Sequence, residues 1–409
     1  MRKPASHPLR GLPLHLSLAM MQWIYFPAVS KMLKTGSEHL NLPSSDWWEG
    51  LPRPLQNLWS RLGQDEQLEK ALENEARTRM VQTLQGILRY QQSDVTRDVS
   101  EPEVLAQIDQ VKLLYYPAKK PIAHVCFIPS LINRYYILDL SSRLSFVRYL
   151  NEQGISASIV DWDEPQATQT SFRSEEYIET YVFPFLKILR KEIKAPLVLT
   201  GYCMGGLLAL AAVTMQPRSV DALGLLATPW DFHVPEFPKA AMAEDHQSVM
   251  ASWIDQSGML PADFIQMLFY ASNPWLFHSK FQQFAEISDS KSADDFVLIE
   301  QWVNDGVPMT AGLAHESFLD WVQCNKTMKG EWEVCGKMVQ PQKIRIPTFI
   351  AAPQDDRIVP LTCALPLAKI IPQNTLIQPY AGHVSMVVGS RRRQSLWNPF
   401  AAWLKQLYN

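Results

Sequence analysis

Residues 196–215, PLVLTGYCMGGLLALAAVTM, restrict the fold of this chain more than any other stretch. PLVLT is a short apolar run between a proline and a glycine, the pattern of a strand buried on both faces. LLALAAVTM stays apolar but is built from good helix formers. Between the two lie Gly201, Cys203, Gly205 and Gly206, a G-x-C-x-G-G turn that leaves no length for a loop. A buried strand that turns directly into a buried helix is a unit of α/β architecture. The turn sets Cys203 at a helix N-terminus, where negative charge is favoured. A free cysteine is often a small buried hydrophobe; strand, glycines and helix in register point instead to a nucleophile on a sharp elbow.

The flanking sequence supplies the rest of such a sheet. From about residue 106, VKLLYYP, IAHVCFIP, ISASIVDW, PLVLTG, DALGLLATP, IPTFIAAP and NTLIQPYAG are β-rich runs ending in turn chemistry. Helical stretches fall between several of them, notably 136–153, 175–194, 206–216 and 391–407. This alternation predicts an α/β fold with a mostly parallel sheet flanked by helices. About 110 residues between LLATPWDF and IPTFIAAP read mostly as helix, which predicts a lid inserted at the carboxyl edge of the sheet. Upstream, Leu68, Leu72, Met80, Leu84 and Leu88 recur at near-helical spacing, so 65–93 reads as one amphipathic helix. The expected divisions are an N-terminal helical region over 1–105, core over 106–232, helical lid over 233–340 and core again over 341–409.

Composition narrows the function classes. A net charge of −3 over 409 residues, without long charge blocks, gives no electrostatic footprint for nucleic acid. The five cysteines are scattered without CxxC spacing, which argues against a disulfide framework or a zinc site and suits a reducing cytoplasm. Residues 11–33 are apolar and follow the basic MRKPASHPLR, but Pro13, His15, Gln22 and Pro27 interrupt them. That pattern fits neither a signal peptide nor a spanning helix. A helix packed on the body and attachment to a lipid or polymer surface both remain open.

A nucleophile needs a base, and the base an orienting acid. AAPQDDRIVP follows one strand and offers Asp355 and Asp356; YAGHVSMVVG follows the next and offers His383. Among nine histidines, His383 alone follows a final strand in a Gly-His loop. His124 lies inside an apolar strand and reads as a core residue; His233, His246, His278 and His315 fall in the insertion. For an oxyanion hole the amide of Met204 is the expected first donor. The second is expected from PSLINRYY, near Leu131, unless that loop is a plain structural turn. The triplet Arg391–Arg392–Arg393 reads as a solvated helix face, with contact to a coenzyme phosphate as the alternative.

Assembled in the order nucleophile, acid, base, these residues resemble an α/β hydrolase, and more closely the polyhydroxyalkanoate synthase family. GYCMGG resembles that family's lipase-like box, DRIVP its aspartate motif and AGHVSMVVG its terminal Gly-His motif. IPSLINRYYILDLSSRLSFVRYLNEQGISASIVDWDEP resembles the segment after its oxyanion strand, and SGMLPADFIQMLFYASNP the shorter synthases that work with a partner subunit. Arg357 stands where the family usually has histidine. The resemblance implies Cys203 as acyl-accepting nucleophile, His383 as general base and Asp356, rather than Asp355, as its partner. It implies transfer of 3-hydroxyacyl groups from coenzyme A thioesters to a growing polyester, with acyl-coenzyme A as substrate and no permanently bound cofactor. A homodimer or partner subunit, and a cytoplasmic site at a polyester granule or membrane surface, follow from the same resemblance. The same three residues also suit a thioesterase, esterase or polyester depolymerase, and the apolar N-terminus suits a granule- or membrane-associated protein without catalysis.

Overall fold

The computed structural model describes residues 65–237, 256–272 and 274–409, with Leu9, Leu12, Leu16, Arg53, Ala251, Ser252 and Ile254. Apart from Leu12 and Leu16, the apolar segment 11–33 lies outside the described residues. So does most of 238–255. The chain divides into two compact units, Met1–Val95 with Asn273–Val297, and Thr96–Ser272 with Leu298–Asn409. Residues 273–297 of the expected lid thus group with the N-terminal region, and the rest of the insertion groups with the core. Among the described residues, no helix is long and apolar enough to cross a membrane.

The larger unit is built on one eight-stranded sheet. Its strands are β1 (Glu103–Ile108), β2 (Val111–Tyr116), β3 (Ala123–Ile128), β4 (Ile155–Asp161), β5 (Leu197–Tyr202), β6 (Ala222–Leu226), β7 (Thr348–Ala351) and β8 (Asn374–Ile377). They lie in the order β1-β2-β4-β3-β5-β6-β7-β8. Strand β2 alone runs in the direction opposite to the other seven strands. Strands β3, β5, β6 and β7 are buried at every position, as a parallel strand covered on both faces must be. His124 fits this interior because Ser158 Oγ lies 2.9 Å from its Nε2 and Tyr115 stacks on its ring. Burial pushes its pKa down to about 4, so it sits in the sheet as a neutral ring.

Register carries the sheet to the site. Ile128 pairs with Gly201, Tyr202 with Leu226, Leu226 with Ala351, and Ala351 with Ile377. The carboxyl ends of β3, β5, β6, β7 and β8 therefore finish level, and the loops that follow them open at one edge. Ligands of open α/β sheets bind at that edge.

Several elements depart from the sequence pattern for local reasons. The expected helix over 136–153 is split into a 3₁₀ turn, Tyr135–Leu138, and a helix, Phe146–Glu152. Between them the buried Asp139 carboxylate accepts from Tyr116 Oη at 3.0 Å and Arg148 Nε at 2.7 Å. Ser145 Oγ then caps the second piece by accepting from Arg148 N. Short polar side chains in DLSSRLS thus take over from the helix ladder. The helical runs over 175–194 and 391–407 each contain a π-helical turn, Ile178–Val182 and Arg393–Trp397, just before Pro184 and Pro399. Proline has no N–H to give to the preceding turn, which favours such a switch. Strand β1 begins at Glu103, ahead of the expected boundary at 106, because a half-exposed edge strand carries a weak apolar signal.

In the smaller unit the helix α1 (Glu66–Gln91) buries Ala76, Thr83, Gly86, Ile87 and Tyr90, not the predicted Met80–Leu84–Leu88 stripe. Leu84 and Leu88 stay exposed. The face is chosen by Gly86, whose missing Cβ admits the backbone of Phe281 in the neighbouring helix Pro274–Glu286. Arg89 seals that contact by donating to Phe284 O and Ile287 O at 2.6 and 2.8 Å.

Candidate active site

Strand β5 ends at Tyr202, helix α2 (Met204–Met215) begins at Met204, and Cys203 is the single residue between them. Cys203 has φ 56° and ψ −126°, a conformation that side chains rarely adopt. Such a residue costs about 1–3 kcal/mol and persists only where its surroundings enforce it. Here the Cys203 amide donates to Leu226 O of β6 at 2.8 Å, and Gly206 N donates to Cys203 O at 2.9 Å. Helix α2 buries ten of its residues, so the turn cannot relax outward. The glycines are steric requirements. A Cβ on Gly205 would run into the carbonyls of Ile128 and Pro129; on Gly201 and Gly206 it would meet α2 and Thr228 respectively.

These contacts predict a contrast. Gly205→Ala pushes against fixed backbone and is expected to lower unfolding free energy by about 1–3 kcal/mol. Gly382→Ala meets only ordinary contacts at 3.5 Å and beyond, and is expected to change it by less than about 0.5 kcal/mol. Denaturant unfolding of the two variants tests the pair.

The loops after β7 and β8 bring two side chains to the same edge. Asp356 is buried; its Oδ1 accepts from Ile358 N at 2.9 Å and Val359 N at 2.8 Å, which fixes the carboxylate. Its Oδ2 lies 2.7 Å from His383 Nδ1, so Nδ1 carries the proton and Nε2 is left for Cys203. Asp355 and Arg357 are exposed on either side. Burial works to lower the basicity of His383. The Asp356 charge, Cys203 and hydrogen bonds to both outweigh it and hold the imidazole well above its ordinary 6.5. Tyr202, one residue before the elbow, fixes the ring from behind. Its ring stacks on His383 at 5.2 Å and its hydroxyl donates to His383 O at 3.1 Å.

Cys203 opens onto a cleft of about 860 Å³, its mouth included, that lies wholly within the larger unit. Met204 and Leu207 form its floor, and Ile132, Phe232, Ile265, Phe269, Trp321 and Ile358 are among its walls. Met204 lines the cleft beside Cys203. From the loop after β3 Ile132 lines the cleft, and the side chains of Leu131 and Ile132 are both buried in the main apolar core. That loop is clamped: Val307 N donates to Ile132 O at 2.9 Å, and Arg134 pairs with Asp163, Glu164 and Asp305. Sequence patterning misses Tyr202, Ile132 and the walls from 265–269 and 317–322, because apolar side chains at helical spacing look like ordinary core. Arg392 and Arg393 lie over the rings of Trp397 and Tyr149.

A mostly parallel sheet with a strained cysteine at the turn after its fifth strand, and a hydrogen-bonded aspartate and histidine after its seventh and eighth, is the arrangement of an α/β hydrolase. The chain belongs to that family: the sequence profile described as alpha/beta hydrolase fold matches residues 158–390, more than half of it. Within the superfamily it is similar to poly(3-hydroxyalkanoate) polymerase subunits, at 25–28% identity. It is 27% identical to the poly(3-hydroxyalkanoate) polymerase subunit PhaC of Haloferax mediterranei over 334 residues, covering 77% of this chain and 65% of that protein. The chain therefore spans just under two thirds of that relative's length. The corresponding subunit of Synechocystis is 25% identical over 363 residues, covering 85% of this chain and 95% of that one. Among solved structures, a soluble variant of the monoglyceride lipase of Saccharomyces cerevisiae superposes with a TM-score of 0.52 at 14% identity, over 77% of this chain and 99% of the lipase. That likeness is one of fold.

Proposed function

We propose that the chain is an acyltransferase that moves 3-hydroxyacyl groups from coenzyme A thioesters, through a covalent acyl-cysteine, to the hydroxyl end of a growing polyester. The observation that carries this reading is a cysteine at the elbow, beside a buried His383–Asp356 pair, on the wall of an apolar cleft. Relatives named as poly(3-hydroxyalkanoate) polymerase subunits support it.

In this reading His383 Nε2 takes the Cys203 proton, and Sγ attacks the thioester carbonyl. The oxyanion is received by the amide of Met204 and by an amide of the loop at Leu131–Ile132. The tetrahedral adduct collapses with loss of the coenzyme A thiolate, which leaves with the proton held by His383. An acyl-cysteine remains. In the second half His383 takes the proton of a chain-end hydroxyl, whose oxygen attacks the same carbonyl. The thiolate of Cys203 is expelled and reprotonated by His383. Exchange of one thioester for another is nearly balanced in energy, which suits cysteine to accept the group, and the thiolate is the reactive species. Asp356 holds the ring and stabilises the imidazolium. An apolar cleft that excludes water favours an alcohol over hydrolysis, and the insertion that supplies much of its wall acts as the lid.

Incubation with 3-hydroxybutyryl-coenzyme A is expected to release thiol in step with polyester. Release with free acid alone would replace transfer by hydrolysis. No release from any acyl-coenzyme A would remove the thioester donor from the account.

A further inference from the structure

Ser317 and Trp321 stand four residues apart on the wall of the cleft that holds Cys203. They belong to the π-helical segment Glu316–Gln323, and such segments recur at functional sites. Its first residue is anchored: the Glu316 carboxylate accepts from Ser174 N and Oγ at 2.7 Å and from Trp332 Nε1 at 2.9 Å. The next residue is not. Ser317 is 6% exposed and Trp321 1%, yet Ser317 Oγ and Trp321 Nε1 have no hydrogen-bond partner among the described residues.

Buried polar groups are almost always paired. A helical serine or threonine ordinarily returns its hydroxyl to the carbonyl four residues back, as Thr214 does to Leu210 O at 2.9 Å. Other buried groups without a partner, such as Thr200 Oγ1, Thr228 Oγ1 and Trp230 Nε1, do not line the cleft. Among the described residues, Ser317 and Trp321 alone combine an unanswered polar atom with a place on the cleft wall.

We propose that Ser317, assisted by Trp321, binds an oxygen substituent on the acyl chain carried by Cys203, and so selects 3-hydroxyacyl over plain alkanoyl groups. The proposal rests on the acyl-transfer reading above. A serine hydroxyl both donates and accepts, which matches a ligand hydroxyl; the indole N–H donates only and fits the oxygen's remaining lone pair. Ser317 Oγ and Trp321 Nε1 are both shielded by their neighbours, so engagement involves a change of side-chain rotamer at each. Apolar walls alone discriminate weakly for a hydroxyl, whereas a group left unpaired by the wrong substrate discriminates strongly.

The p-nitrophenyl esters of 3-hydroxybutyrate and butyrate acylate a reactive cysteine without coenzyme A. Their rate constants for acylation of Cys203, from nitrophenol release and intact mass, are compared in the wild type, Ser317→Ala and Ser317→Thr. The wild type is expected to favour the hydroxylated ester by about tenfold. Ser317→Ala is expected to lose most of that ratio by slowing the hydroxylated ester alone, and Ser317→Thr to restore part of it. Ser317→Ala is also expected to melt no lower than the wild type, since it deletes an unpaired buried hydroxyl. A ratio unchanged in Ser317→Ala, or an equal loss for both esters, overturns the assignment. A parallel incubation of the wild type with 3-hydroxybutyryl-coenzyme A separates the two readings. Absence of thiol release there counts against the coenzyme donor, while the ester ratio still decides Ser317.

Discussion

Cys203→Ala is expected to abolish covalent labelling by an acyl thioester and to lower turnover by about 10⁴-fold or more, with the fold intact. Alanine keeps the Cβ, and the contacts that hold φ at 56° are backbone contacts, namely the amide of Cys203 to Leu226 O and of Gly206 to Cys203 O. The variant should therefore melt within a few degrees of the wild type while losing its chemistry. The other cysteines offer little competition. Burial pushes the thiols of Cys126, Cys335 and Cys363 up to about 12, which keeps them as unreactive thiols. Cys324 is exposed, so peptide mapping after labelling must separate it from Cys203. Label that persists in Cys203→Ala at full stoichiometry refutes the nucleophile assignment.

Asp356→Asn is expected to cost about 10²- to 10⁴-fold in acylation rate and to move its pH dependence downward. The asparagine can still accept from Ile358 N and Val359 N, so the loop should hold. What it loses is the charge beside His383 Nδ1. With that charge gone, burial dominates and the imidazole gives up its proton at lower pH than in the wild type. The stability side has a definite sign. A histidine raised above 6.5 in the folded state contributes stability that is full below about pH 6.5 and lost as pH rises through its folded value. The variant should therefore show less of this alkaline decline. Histidine NMR titration of wild type and Asp356→Asn, alongside alkylation of Cys203 against pH, reads the shift directly. An unchanged or raised His383 titration would remove Asp356 from its role.

The elbow was legible in sequence because everything that makes it is local. Strand, glycines and helix occupy twenty consecutive residues, and each glycine answers a contact made within the same turn or with the adjoining strand ends. The loops carrying Asp356 and His383 were legible because each follows an unambiguous buried strand. Spacing alone did not separate Asp355 from Asp356. Burial and the turn to Ile358 and Val359 do. The cleft was not legible. Ile132 lines it from a loop after β3 that is clamped by residues some 170 positions away. The Ser317–Trp321 wall was hidden because a π-helical segment shifts which side chains share a face, and nothing in ESFLDWVQ announces that change of period.

The central claim is that the acyl group on Cys203 passes to a hydroxyl rather than to water. Cys203 can be loaded in a single turnover with 3-hydroxybutyryl-coenzyme A, freed of excess thioester and chased with a soluble hydroxybutyrate oligomer. Mass spectrometry then follows the acyl group. The account predicts an oligomer longer by one unit and little free 3-hydroxybutyrate. Discharge to free acid at a rate indifferent to the oligomer would contradict it.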